Sequence, residues 1–148
     1  MIENISTLKK LEKFFLNENK IHQIENLNEL KELKLLELGS NKIKKIENIE
    51  KNLKLEQLWI GRNKIKKIEN LEKLTNLRIL SLQDNLISKI NGVEKLINLK
   101  EFYISENGIQ QLENLDSLKI TLLDVSDNKL QKIENVKELK ELEEFWVI

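Results

Sequence analysis

Covalent chemistry needs reactive side chains in a defined arrangement, and this chain offers few. It has 148 residues and no cysteine, which removes thiol nucleophiles, disulfides and thiolate-ligated metals. The single histidine, His22, sits at a polar turn position, where a surface role is expected. There is no glycine-rich phosphate loop, and no serine, histidine and aspartate stand at a distinctive spacing. Carboxylates are abundant, but 25 Asp plus Glu against 25 Lys plus Arg makes acidic pairs unavoidable, so they do not mark a general acid and base. We therefore expect no enzyme, no cofactor and no metal site. The pattern that stands out is one of non-covalent recognition. Phe15, Trp59, Tyr103 and Trp146 recur at intervals of 44, 44 and 43 residues, with Glu37 and Asp124 between them and Glu144 two residues before the last ring. Rings supply buried contact area at an interface, and carboxylates steer and pair with Lys or Arg.

That spacing belongs to a stricter one. Asn19, Asn41, Asn63, Asn85, Asn107 and Asn128 follow one another at 22, 22, 22, 22 and 21 residues. Each ends the pattern LxxLxLxxN, as in Leu55, Leu58, Ile60 and Asn63, the signature of leucine-rich repeats. Numbering a unit from its first Leu, apolar residues take positions 1, 4, 6, 11, 14, 17 and 20, illustrated by Leu55, Leu58, Ile60, Ile65, Ile68, Leu71 and Leu74. Alternation around positions 4 and 6 predicts a short strand. The step of three afterwards predicts a 3₁₀ or irregular return rather than an α-helix, whose stripe drifts to every fourth residue. The expected fold is a leucine-rich-repeat solenoid of the α/β class, with a curved parallel sheet on the concave face and 3₁₀ or irregular returns on the convex face. Residues 1–148 make about six to seven repeats of 22 residues in one domain. The position-9 Asn is expected to point inward and bond the backbone of its own turn and the next. One residue is missing between Leu118 and Ile120, which predicts a tightened return there and an unchanged strand side.

The outward strand positions, 3 and 5, are the variable ones. Position 5 reads Phe15, Glu37, Trp59, Ser81, Tyr103, Asp124 and Trp146, so it holds every Trp and Tyr of the chain. We read this column as a protein-binding face; the competing reading is simple packing between neighbouring strands. Lys42, Lys44 and Lys45 stack over Lys64, Lys66 and Lys67, but Glu25, Glu47, Glu69, Glu113 and Glu134 follow closely and are expected to blunt their field. A solvated charged edge is the expectation, and nucleic acid is not an expected partner. No apolar run approaches the roughly 20 residues that span a bilayer, so no membrane is expected. Met1 to Lys10 lacks the continuous apolar run of a secretory signal, and the absence of cysteine fits a reducing compartment. The chain begins and ends within a repeat, without capping units, so we expect a piece of a longer solenoid whose open ends, near Phe14 and Phe145, favour end-to-end self-association.

Non-consensus residues add a resemblance. Ile-Glu-Asn recurs at Ile24–Asn26, Ile46–Asn48, Ile68–Asn70 and Ile133–Asn135. With the stretches Leu36–Asn41, Ile46–Ile49, Tyr103–Ile109 and Leu142–Trp146, it resembles the short leucine-rich-repeat class that includes regulatory subunit 7 of protein phosphatase 1. The resemblance covers the whole chain. It implies a non-enzymatic regulator in nucleus and cytoplasm, with a role in chromosome segregation, whose concave face grips the phosphatase catalytic subunit. The matching positions here are Phe15, Glu37, Trp59, Asp124, Glu144 and Trp146; at Trp59 the family usually has Phe. Tyr103 joins them from the ladder reading. The alternatives are another intracellular adaptor, of the axonemal dynein light-chain type, and a ribonucleoprotein component using the lysine edge.

Overall fold

The structure is a computed structural model that describes residues 1–147. Seven three-residue strands form one sheet: β1 (Lys13–Phe15), β2 (Leu35–Glu37), β3 (Gln57–Trp59), β4 (Ile79–Ser81), β5 (Glu101–Tyr103), β6 (Leu122–Asp124) and β7 (Glu144–Trp146). They pair in parallel in sequence order, β1 and β7 being the edges. The register is unbroken, so position 5 forms one ladder: Phe15, Glu37, Trp59, Ser81, Tyr103, Asp124, Trp146. Between the strands the chain returns through isolated i→i+3 turns, such as Leu74 N–H to Leu71 C=O and Leu77 N–H to Leu74 C=O, and no helix forms among the described residues. The period-three spacing of the apolar residues is what such turns bury.

Each turn is too thin to shield its own apolar side, so stacking makes the core. Leu36, Leu58, Leu80, Phe102 and Leu123, at position 4, are all fully buried. At roughly 1.5–3 kcal/mol for each side chain, columns of this kind dominate the folding energy.

The position-9 amides knit neighbouring turns. Asn85 Oδ1 accepts from Ile65 N–H at 2.9 Å, and its Nδ2 donates to Ile60, Leu82 and Gln83 carbonyls at 3.1, 3.0 and 3.3 Å. Asn41, Asn63, Asn107 and Asn128 reach the same set of partners in their own repeats. The cross-turn bonds run to the preceding turn, not the following one as the sequence suggested. Asn19 shows why direction matters: with β1 at the sheet edge it reaches only Leu16 and Asn17 carbonyls, and it is exposed.

A second amide ladder runs along the returns. Asn48, Asn70 and Asn114, at position 16, donate to the carbonyls of Ile24, Ile46 and Ile90 at 2.7, 2.7 and 2.6 Å. All the position-16 asparagines, from Asn4 to Asn135, have φ between 58° and 62°, a left-handed conformation that Asn tolerates better than most residues. Gly92 takes the place of Asn once, at φ 73°, where a Cβ would lie 2.5 Å from Ile68 O. The Asn of the recurring Ile-Glu-Asn therefore has a folding cause.

Two irregularities follow the sequence. At the shortened return, Leu118 N–H still bonds Leu115 C=O, but the second turn found in the other returns does not form; the Lys100 ammonium instead donates to Lys119 C=O at 3.0 Å. The return loses a turn rather than tightening, while the β5–β6 register is unchanged. Asn52 stands at position 20, where Leu30, Leu74, Leu96 and Leu118 stand elsewhere. It is fully buried, donates to Leu27 and Leu30 carbonyls at 2.9 Å each, and leaves its Oδ1 without a partner.

Candidate functional site

The three-residue strand decides which side chains face out. With position 4 buried, positions 3 and 5 project together from the other face. Phe15 and Trp146, on the edge strands, are 61% and 57% exposed. Glu37, Trp59, Tyr103 and Asp124 are half-buried, and Glu144, at position 3 of β7, is exposed. All seven predicted residues thus lie on one face, six of them in a single ladder. Four carboxylates (Glu37, Glu101, Asp124, Glu144) share that face with one ammonium, Lys13, which gives it an acidic character.

Two parts of the ladder differ. Around β4 the face is closed. Trp59 and Tyr103, two strands apart, lean across Ser81 and stack with ring centroids 6.0 Å apart and planes inclined by 26°. Ser81 is small enough to sit beneath them, 1% exposed, with its hydroxyl bonded to Gln83 Oε1. Both rings are also tied along their own strands: Trp59 Nε1 donates to Gln57 Oε1 at 3.2 Å, and Tyr103 OH to Glu101 Oε2 at 2.8 Å. Packing between strands therefore coexists with exposure here, and Ser81, Gln57 and Glu101 are site residues that the sequence reading passed over. Reading the ladder for the small residue flanked by two rings would have found Ser81.

Around β6 the face is open. Tyr103 and Trp146 again stand two strands apart, but Asp124 lies between them, and Tyr103, Leu122, Asp124, Glu144 and Trp146 line a depression of about 360 Å³. A second depression of about 230 Å³ lies beyond Trp59, lined by Glu37, Gly39, Gly61, Arg62 and Gln83 among others.

The position-5 acids also have a local task. Glu37 Oε1 accepts Gly39 N–H at 2.7 Å, and Asp124 Oδ1 accepts the Ser126 N–H and hydroxyl at 3.0 and 2.6 Å. Partial burial pushes the Glu37 carboxyl up, and the Gly39 amide offsets part of that. The Tyr103 phenol is pushed up to about 12 by burial, by its bond to Glu101, and by the charges of Glu101, Glu144 and Asp124. A ring that is harder to ionise remains a neutral donor in an acidic setting. Among the described residues no three His, Asp or Glu side chains gather to hold a metal ion.

The chain matches the family described as leucine-rich repeats, two copies, over residues 31–73 and 75–119, more than half its length, and it belongs to that family. A comparison with curated proteins finds no match. Among solved structures it is similar to an internalin (inlF) of Listeria monocytogenes, at 28% identity and TM-score 0.85, over 91% of this chain and 40% of that one. It is similar to a leucine-rich-repeat protein of Leptospira interrogans at 28% identity and TM-score 0.90, over 97% of this chain and 38% of that one. Internalin C2 of Listeria monocytogenes shares the fold at 23% identity and TM-score 0.91, over 97% of this chain and 64% of that one. The chain therefore spans less than two thirds of each. Fold and repeats together define a leucine-rich-repeat scaffold.

Proposed function

We propose that the concave face docks the catalytic subunit of protein phosphatase 1 and that the protein acts as a non-enzymatic regulatory subunit in nucleus and cytoplasm. One observation carries the reading: rings and carboxylates share an outward face that the core does not require, on the positions where the sequence resembles the phosphatase regulators. The Asn of the recurring Ile-Glu-Asn carries no weight for a partner, because the second amide ladder accounts for it. The weight rests on Phe15, Glu37, Trp59, Asp124, Glu144 and Trp146. In this reading Trp146 and Phe15, the most exposed rings, are desolvated by the partner, and Asp124, Glu144 and Glu37 pair with its basic groups.

The test is calorimetric binding of purified phosphatase catalytic subunit to the chain and to a Trp59→Ala, Trp146→Ala double variant, with circular dichroism to monitor the fold. The expected loss is at least about 2 kcal/mol. Wild-type protein that fails to bind the subunit, or a folded double variant that binds equally well, would reject the assignment.

A further inference from the structure

A second charged surface lies off the concave face, on the turns that follow β2 and β3. Lys42, Lys44 and Lys45 belong to one turn and Lys64, Lys66 and Lys67 to the next; all six are exposed. Their stacking is fixed by the backbone, since Lys42 N–H bonds Ile21 C=O and Lys64 N–H bonds Ile43 C=O, both at 2.8 Å. Successive turns are about 4.8 Å apart, so like charges are held close together. The fold does not ask for this, because Leu86 and Gly108 occupy the place of Lys42 and Lys64 in later repeats.

Three further observations set the patch apart from a solvated edge. The neighbouring glutamates do not neutralise it by contact: among the described residues no carboxylate lies within ion-pairing distance of any of the six lysines, whereas Lys132 of a later repeat does pair, with Glu134 at 2.7 Å. Position 8, just before the conserved-type Asn of each repeat, is acidic in Glu18, Asp84, Glu106 and Asp127 but is Ser40 and Arg62 in the two lysine-rich repeats. Arg62 and Ser40 also line the depression beside Trp59, so positive charge runs from the rim of the concave face around the turn.

We infer that this patch is a docking site for an acidic, extended segment of a polypeptide, bearing carboxylates or phosphoryl groups. A polypeptide fits better than nucleic acid. All the Trp, Tyr and Phe side chains lie on strands, so no ring stands among the lysines; Trp59 borders the Arg62 depression but is already stacked on Tyr103, and the lysines span only two repeats. Lysine point charges suit flexible carboxylates without the fixed geometry of a guanidinium fork. The inference does not depend on which protein fills the concave face.

The test uses a short labelled oligo-glutamate peptide, and a phosphoserine-bearing counterpart, titrated against the full chain at low and at physiological salt. We expect saturable binding at low salt, weakened by physiological salt, and a loss of about tenfold in a Lys42→Gln, Lys44→Gln, Lys64→Gln, Lys66→Gln variant. A Lys129→Gln, Lys132→Gln control should stay within about twofold. Tighter binding of the phosphoserine peptide would assign the source to phosphorylated segments, and tighter binding of oligo-glutamate to carboxylate-rich ones. Absence of saturable binding, an equal loss in the control, or tighter binding of duplex DNA, RNA or anionic vesicles than of either peptide would overturn the proposal. Phosphatase binding retained by the quadruple variant supports a separate site; its loss there would overturn one.

Discussion

The two faces of each strand are one residue apart and obey different rules. Position 4 reads Phe14, Leu36, Leu58, Leu80, Phe102, Leu123 and Phe145, always large and apolar. Position 5 mixes rings, acids and one serine. From Leu36 to Leu123 the inner residue meets the same surroundings, buried against the turns on either side, while Phe14 and Phe145 on the edge strands are only partly buried. The outer residue projects from the other face, where lateral neighbours and bonds to residues two places away along the chain constrain it. Those neighbours still matter: Ser81 brings Trp59 and Tyr103 together, and Asp124 lies in the opening between Tyr103 and Trp146. Variation outside is thus partly local packing and partly available for a partner.

The sharpest way to break the comparison is to damage the inner side. Asn85→Ala should orphan the Ile65 amide and withdraw a donor from three carbonyls, at a cost of about 3 kcal/mol in chemical unfolding. The matching change at Asn19, which has no cross-turn bonds, should cost less than about 1 kcal/mol. Equal costs would mean that the ladder is not what holds the turns.

The outer side should respond in the opposite way. Trp59→Ala should weaken phosphatase binding by about 2 kcal/mol. It should lower stability by no more than about 1.5 kcal/mol, the scale of one ring pair. A stability loss well above that would move Trp59 from the recognition face to the folding core.

Asn52 tests whether the inner rule tolerates an exception. Asn52→Leu would continue the column of Leu30, Leu74 and Leu96 and remove the unpartnered Oδ1. Thermal unfolding should show a gain of about 1 kcal/mol. A destabilised variant would show that the bonds to Leu27 and Leu30 carbonyls outweigh the orphaned oxygen.

The outer side should also show a pH response, at Tyr103. Its phenol ionises near 10.0 when unfolded and near 12 when folded. The native state therefore keeps a proton that the unfolded chain has released, and stability present below pH 10 is lost as pH rises towards 12. Phenolate absorbance should reveal the late ionisation, and Glu101→Gln should advance it. An ionisation at the ordinary value would mean that Tyr103 is neither partly buried nor held against Glu101.

Much of this was legible in the order of residues. Each repeat writes the same instructions, so the strand positions, the ladder and its register could be read directly, and Phe15, Glu37, Trp59, Tyr103, Asp124, Glu144 and Trp146 fall on the expected face. The reading failed where a residue's environment comes from a neighbouring turn. Ile68 and Ile133 hold the same position in their repeats, yet one is 3% and the other 57% exposed, because among the described residues no neighbouring turn covers Ile133. Ser81 looked like an ordinary polar residue until the rings on either side closed over it. The Asn of Ile-Glu-Asn looked like a family mark until the left-handed backbone and the amide bonds gave it a cause. The glutamates near Lys42, Lys44, Lys45, Lys64, Lys66 and Lys67 look close enough to neutralise them, but in this part of the repeat proximity along the chain becomes an ion pair only later, at Lys132 and Glu134, among the described residues.

Composition and period were enough to give a parallel solenoid with an apolar interior, because a periodic pattern buries itself in only one way when its turns are stacked. Which outward rings touch, which acids are bonded to their own backbone, and which lysines stand without a counter-charge depended on the stacked turns. Trp59 and Tyr103 meet from two repeats apart, so no local stretch of sequence contains both rings; the Glu37 and Asp124 bonds span only two residues but form at strand ends whose place the stacked register sets.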